Sequence, residues 1–160
     1  LRNVRPDIAL SSDFIVGFPG ESDNDFEETM SLVREIGFSQ AYSFKFSSRP
    51  GTPAAALSNQ VPEKEKNERL KRIQQEIKGQ QSRFNHQYIN QSMPVLFDRL
   101  GRKEKQFVGR SPYMQAVHVV SANSLLGKIM DVCIDSVSEN SLAGFLNASD
   151  ITLKNMRVTH

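Results

Sequence analysis

The chain has 160 residues, of which 38% are hydrophobic and 24% charged, and its net charge is +2. That balance fits a soluble globular protein of one ordinary domain or two small ones, and no run approaches the roughly 18 apolar residues that a membrane helix needs. A single cysteine, Cys133, excludes an internal disulfide framework and a multi-thiolate metal site; no metal ligand set is expected, and the cytoplasm is the expected compartment. Residues 1–86 carry 12 basic and 12 acidic side chains, and residues 87–160 carry 8 and 6, so the positive excess lies in the second half. Arg2 and Arg5 are followed by Asp7 and Asp13, which is not the pattern of a signal peptide. Strand-like residues come almost at once, so the chain is expected to be a piece of a longer protein, with packing partners on its N-terminal side.

Ile8–Phe18 reads as a strand with apolar residues on both faces, the kind found in parallel sheets covered by helices. Pro19-Gly20 breaks it, and Ser22 with Asp23 and Asp25 offers a helix N-cap with acids in the first turn. Phe26, Met30 and Val33 follow at helical spacing, and Gly37 supplies the stop. Ala41–Ser47 alternates as a second strand, which makes a βαβ unit with parallel strands. A loop, Arg49–Pro53, leads to a longer helix from Pro62. Its buried stripe is expected at Leu70, Ile73, Ile77 and Phe84, and its exposed face at Glu63, Lys64, Lys66, Lys71 and Arg72. Gly79 weakens this helix, which should fade over residues 85–91.

From Met93 the period changes. Val95–Phe97, Gln106–Val108, Ala116–Val120, Lys128–Val137 and Leu142–Leu146 read as five short strands, and five strands in about 60 residues fit a small barrel of the oligonucleotide-binding type. Cys133 shares a strand face with Asp131 and Asp135, opposite Met130, Val132 and Ile134, and reads as an ordinary strand residue. The expected domains are 1–86 and 87–153, with a frayed tail at 154–160.

Glycines at the carboxyl end of a parallel strand let a ligand approach the backbone. Gly17-x-x-Gly20 is too short to be a phosphate motif, and on spacing alone it only turns the chain. Arg49 could pair with a phosphate or carboxylate through its planar fork, or serve as a structural salt bridge; its sequence context leaves both open.

The string Asp13-Phe14-Ile15-Val16-Gly17-Phe18-Pro19-Gly20-Glu21, followed by Tyr42-Ser43-Phe44 and Ser47-Ser48-Arg49-Pro50-Gly51-Thr52-Pro53-Ala54, resembles the radical S-adenosylmethionine (SAM) methylthiotransferases. The resemblance implies an α/β fold for residues 1–86: the C-terminal part of a radical SAM partial barrel, with these strands as its fifth and sixth. It implies that Asp13, Ile15, Val16, Gly17 and Phe18, with Ser47 and Arg49, bind SAM, the adenine lying beside Ile15–Gly17 and residues 47–52 closing the substrate side. The cysteines that hold two 4Fe-4S clusters in that family are absent, so this chain alone should be inactive and no residue in it is assigned as catalytic.

Residues 87–153 resemble a TRAM domain, through Pro94–Phe97, the basic turn Arg99–Lys105, Val108–Val119 and Leu125–Lys128. That resemblance implies RNA binding. Arg99, Arg102, Lys103, Lys105 and Arg110 would meet phosphates, while Tyr113 and His118 would stack on splayed bases. The run Gly109–Val119 looks most like the branch acting on isopentenyl-adenosine next to the anticodon. The implied partners are a tRNA anticodon stem-loop, an electron donor and a sulfur donor, with no membrane. Two other readings remain open: a sister enzyme modifying a ribosomal-protein aspartate, and a non-catalytic RNA-binding module.

Overall fold

The structure, a computed structural model, describes residues 1–147. The expected tail at 154–160 and the end of the expected second domain lie outside the described residues. The chain divides into two compact units with the boundary between Arg83 and Phe84.

In the first unit, strand β1 (Ser11–Val16), helix α1 (Asp23–Ile36) and strand β2 (Gln40–Lys45) form the βαβ crossover. The strands pair in parallel, from Ser11 opposite Gln40 to Val16 opposite Lys45. β1 is shorter than the residue pattern indicates, because Gly17 adopts a left-handed backbone with φ 71° and ends the strand. A capping box opens α1: Asp25 N–H donates to Ser22 Oγ at 3.2 Å, and Ser22 N–H donates to the Asp25 carboxylate at 2.8 Å. The Ser22 backbone and side-chain hydrogen bonds hold the Asp25 carboxyl below its usual range. Gly37, with φ 62°, closes the helix.

Helix α2 (Glu63–His86) runs without a break through Gly79, and all but its last three residues belong to this unit. Ile73 and Ile77 join Val16, Phe26, Met30, Val33 and Phe38 in the core, with Leu70 packed against it. Gln80 is buried in the same helix; it accepts from Phe38 N–H at 2.8 Å and donates to Val33 O at 2.7 Å, satisfying backbone at the end of α1. Lys66 corrects an expectation: it is 8% exposed, not on the solvent face. Its apolar stem lies against Gly17, whose missing Cβ leaves the room, and its ammonium sits 5.6 Å from the centre of the Phe46 ring.

The second unit is a closed five-stranded barrel of β3 (Ser92–Leu100), β4 (Gln106–Arg110), β5 (Ala116–Val120), β6 (Ile129–Val137) and β7 (Ser141–Leu146). The strand order is β3-β4-β5-β7-β6, closed by the β3–β6 pairing. Period-2 alternation sends Val95, Phe97, Phe107, Val117, Val119, Val132, Ile134 and Leu142 into the core. Asp131 and Asp135 face outward, while Cys133 is half-buried. Two glycines permit the closure. A Cβ on Gly109 would come within 2.6 Å of the Leu96 carbonyl oxygen, and one on Gly144 would run into the Cys133 carbonyl oxygen. Gly144→Ala should therefore cost roughly 1–3 kcal/mol of barrel stability through overpacking. Urea unfolding followed by far-UV circular dichroism measures it, and an unshifted midpoint would show that this approach does not constrain the barrel.

Candidate functional site

Each unit presents one candidate surface. At the carboxyl ends of β1 and β2 lies a cleft of about 510 Å³, lined by Ile15, Phe44, Lys45, Phe46, Ser47, Arg49, Thr52 and Ala54. Strand register explains part of this lining. Ile15 pairs with Phe44, and Asp13 with Tyr42, so these four side chains share the sheet face away from the core. Ile15, Tyr42 and Phe44 are each more than half exposed there. The cleft combines apolar walls with a few polar groups, the usual composition of a small-molecule site.

The seven residues expected at a SAM site do not all meet. Ile15, Ser47 and Arg49 line the cleft. Phe18 touches a wall, its ring packing edge-on against Phe46 at 5.1 Å. Asp13 lies one pair further along the exposed face. Val16 points the other way and is 1% exposed in the core with Phe26 and Ile73. Gly17 is buried; its N–H donates to the Glu21 carboxylate at 2.6 Å, and the Lys66 stem fills the space beside its Cα. Sequence reasoning gave no role to Lys45, Phe46 or Ala54, although the period-2 pattern of the expected strand Ala41–Ser47 already puts Phe44 and Phe46 on one face.

The turn behind the cleft is held by an ion cluster that the residue pattern did not reveal. Arg69, whose side chain is 4% exposed, donates to the Glu21 carboxylate at 2.9 Å, to the Glu21 carbonyl at 3.0 Å and to Asp23 at 2.9 Å, and pairs with Glu65. Burial opposes its charge, but Asp23, Glu21 and Glu65 outweigh that and hold the guanidinium above its usual pKa. Lys45 is likewise engaged, by Glu63 and by Asn67 at 3.1 Å, and its hydrogen bond pulls the Glu63 carboxyl down. Arg49 is different. Among the described residues no group pairs with its guanidinium, whereas the other arginines of residues 1–83 all bond to carboxylates or carbonyls.

On the barrel, Arg99 lies next to the last residue of β3, just after a bulge at Asp98, and Arg102, Lys103 and Lys105 occupy the following turn. All four are exposed, and none is paired with a group among the described residues. Gln106 Oε1 accepts from the backbone N–H groups of Arg102 and Lys103, at 3.1 and 3.3 Å, so the turn backbone is fixed while the cationic heads are free. Register places Arg99, Val108, His118 and Ala143 in one row. Burial, then the Arg99 charge, lowers the His118 pKa and favours the neutral ring, whose Nδ1 is buried without a partner. Arg110 donates to Met114 O at 3.2 Å. The Tyr113 ring packs on Tyr88 at 5.0 Å and on Phe84 at 5.7 Å, which makes it part of the barrel's aromatic base rather than an open stacking platform.

Residues 86–146 match the TRAM domain family. The chain is 56% identical over 145 residues to the tRNA-2-methylthio-N(6)-dimethylallyladenosine synthase of Rickettsia rickettsii (strain Sheila Smith), covering 90% of this chain and 33% of that protein. It is 53% identical, over the same shares, to the synthase of Rickettsia prowazekii (strain Madrid E). The chain matches the C-terminal third of these synthases. A multidomain Streptococcus pneumoniae protein with nucleic acid binding domains overlaps 38% of this chain and 23% of its own at 19% identity, with a TM-score of 0.33, too slight a likeness to carry weight.

All seven residues expected to contact RNA fall within the TRAM match. Among the described residues no group of three or more His, Cys, Asp or Glu side chains is arranged to hold a metal, and the sequence has one cysteine, Cys133. The cleft does fit a nucleoside-like group, with apolar walls and one open cation. The ion cluster behind it is testable. Arg69→Met leaves Glu21, 12% exposed at its side chain, without its partner and should destabilise the first unit by about 3 kcal/mol. Thermal unfolding measures this; a variant as stable as the parent would mean that the cluster does not hold the turn.

Proposed function

We propose that the chain is the C-terminal part of a tRNA methylthiotransferase that adds a 2-methylthio group to N6-isopentenyladenosine beside the anticodon. The observation that carries this reading is the 56% identity over 90% of the chain to relatives named for that reaction. The chain spans about a third of their length, so the whole enzyme's chemistry belongs to the longer protein.

In this reading the two parallel strands are part of a radical SAM barrel, and their exposed face, with Ile15, Tyr42 and Phe44, belongs to the barrel interior. SAM, when bound, supplies a methyl group and, after reductive cleavage, the radical that abstracts the adenine hydrogen. The 4Fe-4S clusters, the electron donor and the sulfur donor act through residues outside this chain. Within it, Ile15, Phe44 and Phe46 offer flat apolar walls and exclude water from the cleft, and Ser47 and Arg49 offer polar contacts at its mouth. Asp13 and Phe18 border the same face, while Val16 and Gly17 fix the strand end from behind.

The barrel holds the anticodon stem-loop. Four unpaired cations, Arg99, Arg102, Lys103 and Lys105, stand on a backbone already tied by Gln106, which is the arrangement that gains most from releasing phosphate counterions. Arg110 and His118 extend that face, and Tyr113 supports it. Reversing charge at Arg102, Lys103 and Lys105 should weaken stem-loop affinity at least roughly tenfold and lower the salt slope by about 0.7–0.9 for each phosphate that the turn no longer neutralises. Filter binding across a salt series reads both, and an unchanged slope would remove this turn from the interface.

The functional reading is tested by nucleoside mass spectrometry of total tRNA from cells lacking the parent gene. The methylthio mark should vanish and its isopentenyl-adenosine precursor accumulate. Unchanged tRNA would overturn the reading and favour a ribosomal-protein aspartate as the substrate.

A further inference from the structure

We infer that Arg49 is an anion clamp at the mouth of the cleft, taking the phosphate of a nucleotide whose base lies against the apolar wall. The inference rests on the functional reading above and adds to it the group that orients the substrate. Three observations carry it.

First, the loop is rigid where it must be. Thr52 donates through its N–H at 3.2 Å and its Oγ1 at 2.8 Å to Arg49 O, and Thr52 O and Oγ1 accept from Ala55 N–H at 3.1 and 3.3 Å. Gly51 takes the left-handed turn with φ 82° that this closure requires. The Arg49 backbone is therefore fixed before any ligand arrives, which lowers the ordering cost of binding.

Second, its head is open. The other cation lining the cleft, Lys45, is committed to Glu63 and Asn67, so Arg49 is the cleft's available charge. A planar guanidinium presents two parallel N–H donors, matching two oxygens of a phosphate or carboxylate.

Third, the surroundings supply the rest of a nucleotide's requirements. Ile15, Phe44 and Phe46 form apolar wall, and Ser47 and Thr52 line the same cleft as the cation. An aliphatic ligand would find no use for that cation, and a free inorganic anion none for the wall. The carboxylate of SAM shares the clamp's chemistry with an RNA phosphate, and the two sources are separable by experiment.

The test uses the longer parent protein carrying Arg49→Gln or Arg49→Lys, with labelled SAM and a synthetic anticodon stem-loop RNA each measured alone. Arg49→Gln should weaken RNA binding roughly 10- to 100-fold, with SAM affinity unchanged, and Arg49→Lys should restore only part of the loss because it keeps the charge without the fork. A neutral methylphosphonate beside the target adenosine should weaken the parent but cost Arg49→Gln nothing further. Loss of SAM affinity with RNA binding intact would overturn the phosphate assignment and give the clamp to the SAM carboxylate instead. If the parent binds both ligands and Arg49→Gln binds both equally well, the clamp is overturned and the functional reading stands. If the parent binds neither, both fall together.

Discussion

One carboxylate joins the end of a strand to a helix 48 residues away. Glu21 accepts the Gly17 N–H with one oxygen and the Arg69 guanidinium with the other. Everything at the carboxyl end of β1 follows from that division: where the strand stops, which way the Phe18-Pro19-Gly20 turn leaves, and where Ile15 stands relative to β2. Burying a guanidinium to 4% exposure costs several kcal/mol unless its donors are met. Three carboxylates meet most of them, while the Arg69 Nε remains without a partner. The turn behind the cleft is therefore shaped by charges that do not line it; of the two cations that do, Lys45 is paired with Glu63 and Arg49 is left out of the ion pairs among the described residues.

The barrel closes by different physics. It contains no buried ion pair among the described residues, and its ring of hydrogen bonds leaves no free edge. Apart from the unpartnered His118 Nδ1, its polar interior is held by a short network: Gln115 donates to Asn85 at 2.8 Å, and Ser111 donates to Gln115 at 2.9 Å. Asn85 is 2% exposed and would be costly without that partner. The aromatic base of Phe84, Tyr88 and Tyr113 packs beside this network. Because hydrogen bonds and apolar packing hold the barrel, its surface cations are not needed for stability and are available for a ligand.

These differences decide what could be read from the sequence. Alternation is local, so Ala116–Val120 was legible residue for residue and the other four strands of the barrel within a few positions. The α1 caps were legible for the same reason, since Ser22 and Asp25 are three residues apart. Lys66 and Arg69 were not, because a cation on a helix reads as solvent-facing until its distant partners are known. Gly17 and Glu21 lie more than 40 residues upstream. Tyr113 hid in the same way: its ring is claimed by Phe84 and Tyr88, which no local pattern connects to it. For the cleft, the end of β1 has apolar residues on both faces, Phe14 and Val16 on one and Ile15 on the other, so these last three residues carry no phase. Ile15 and Val16 look equivalent in sequence, yet one lines the cleft and the other fills the core.

That missing phase is itself informative. A parallel pair with apolar residues on both faces is built to be covered twice. Val16 and Phe14 are covered by their own unit's core, while Ile15, Tyr42 and Phe44 are left more than half exposed, as neighbours across one register. Contiguous exposed apolar surface on a sheet marks a face that something else covers. The larger barrel of the proposed reading would satisfy that demand and would put the cleft, at the carboxyl ends of the strands, where ligands sit in such barrels. The same constraint separates the two units in kind: the five-stranded barrel is complete in its hydrogen bonding and its core, whereas the strand pair is complete on one face only. In the proposed reading, RNA binding by the first and a substrate cleft shaped by the second use these two conditions, a closed anchor and an open wall.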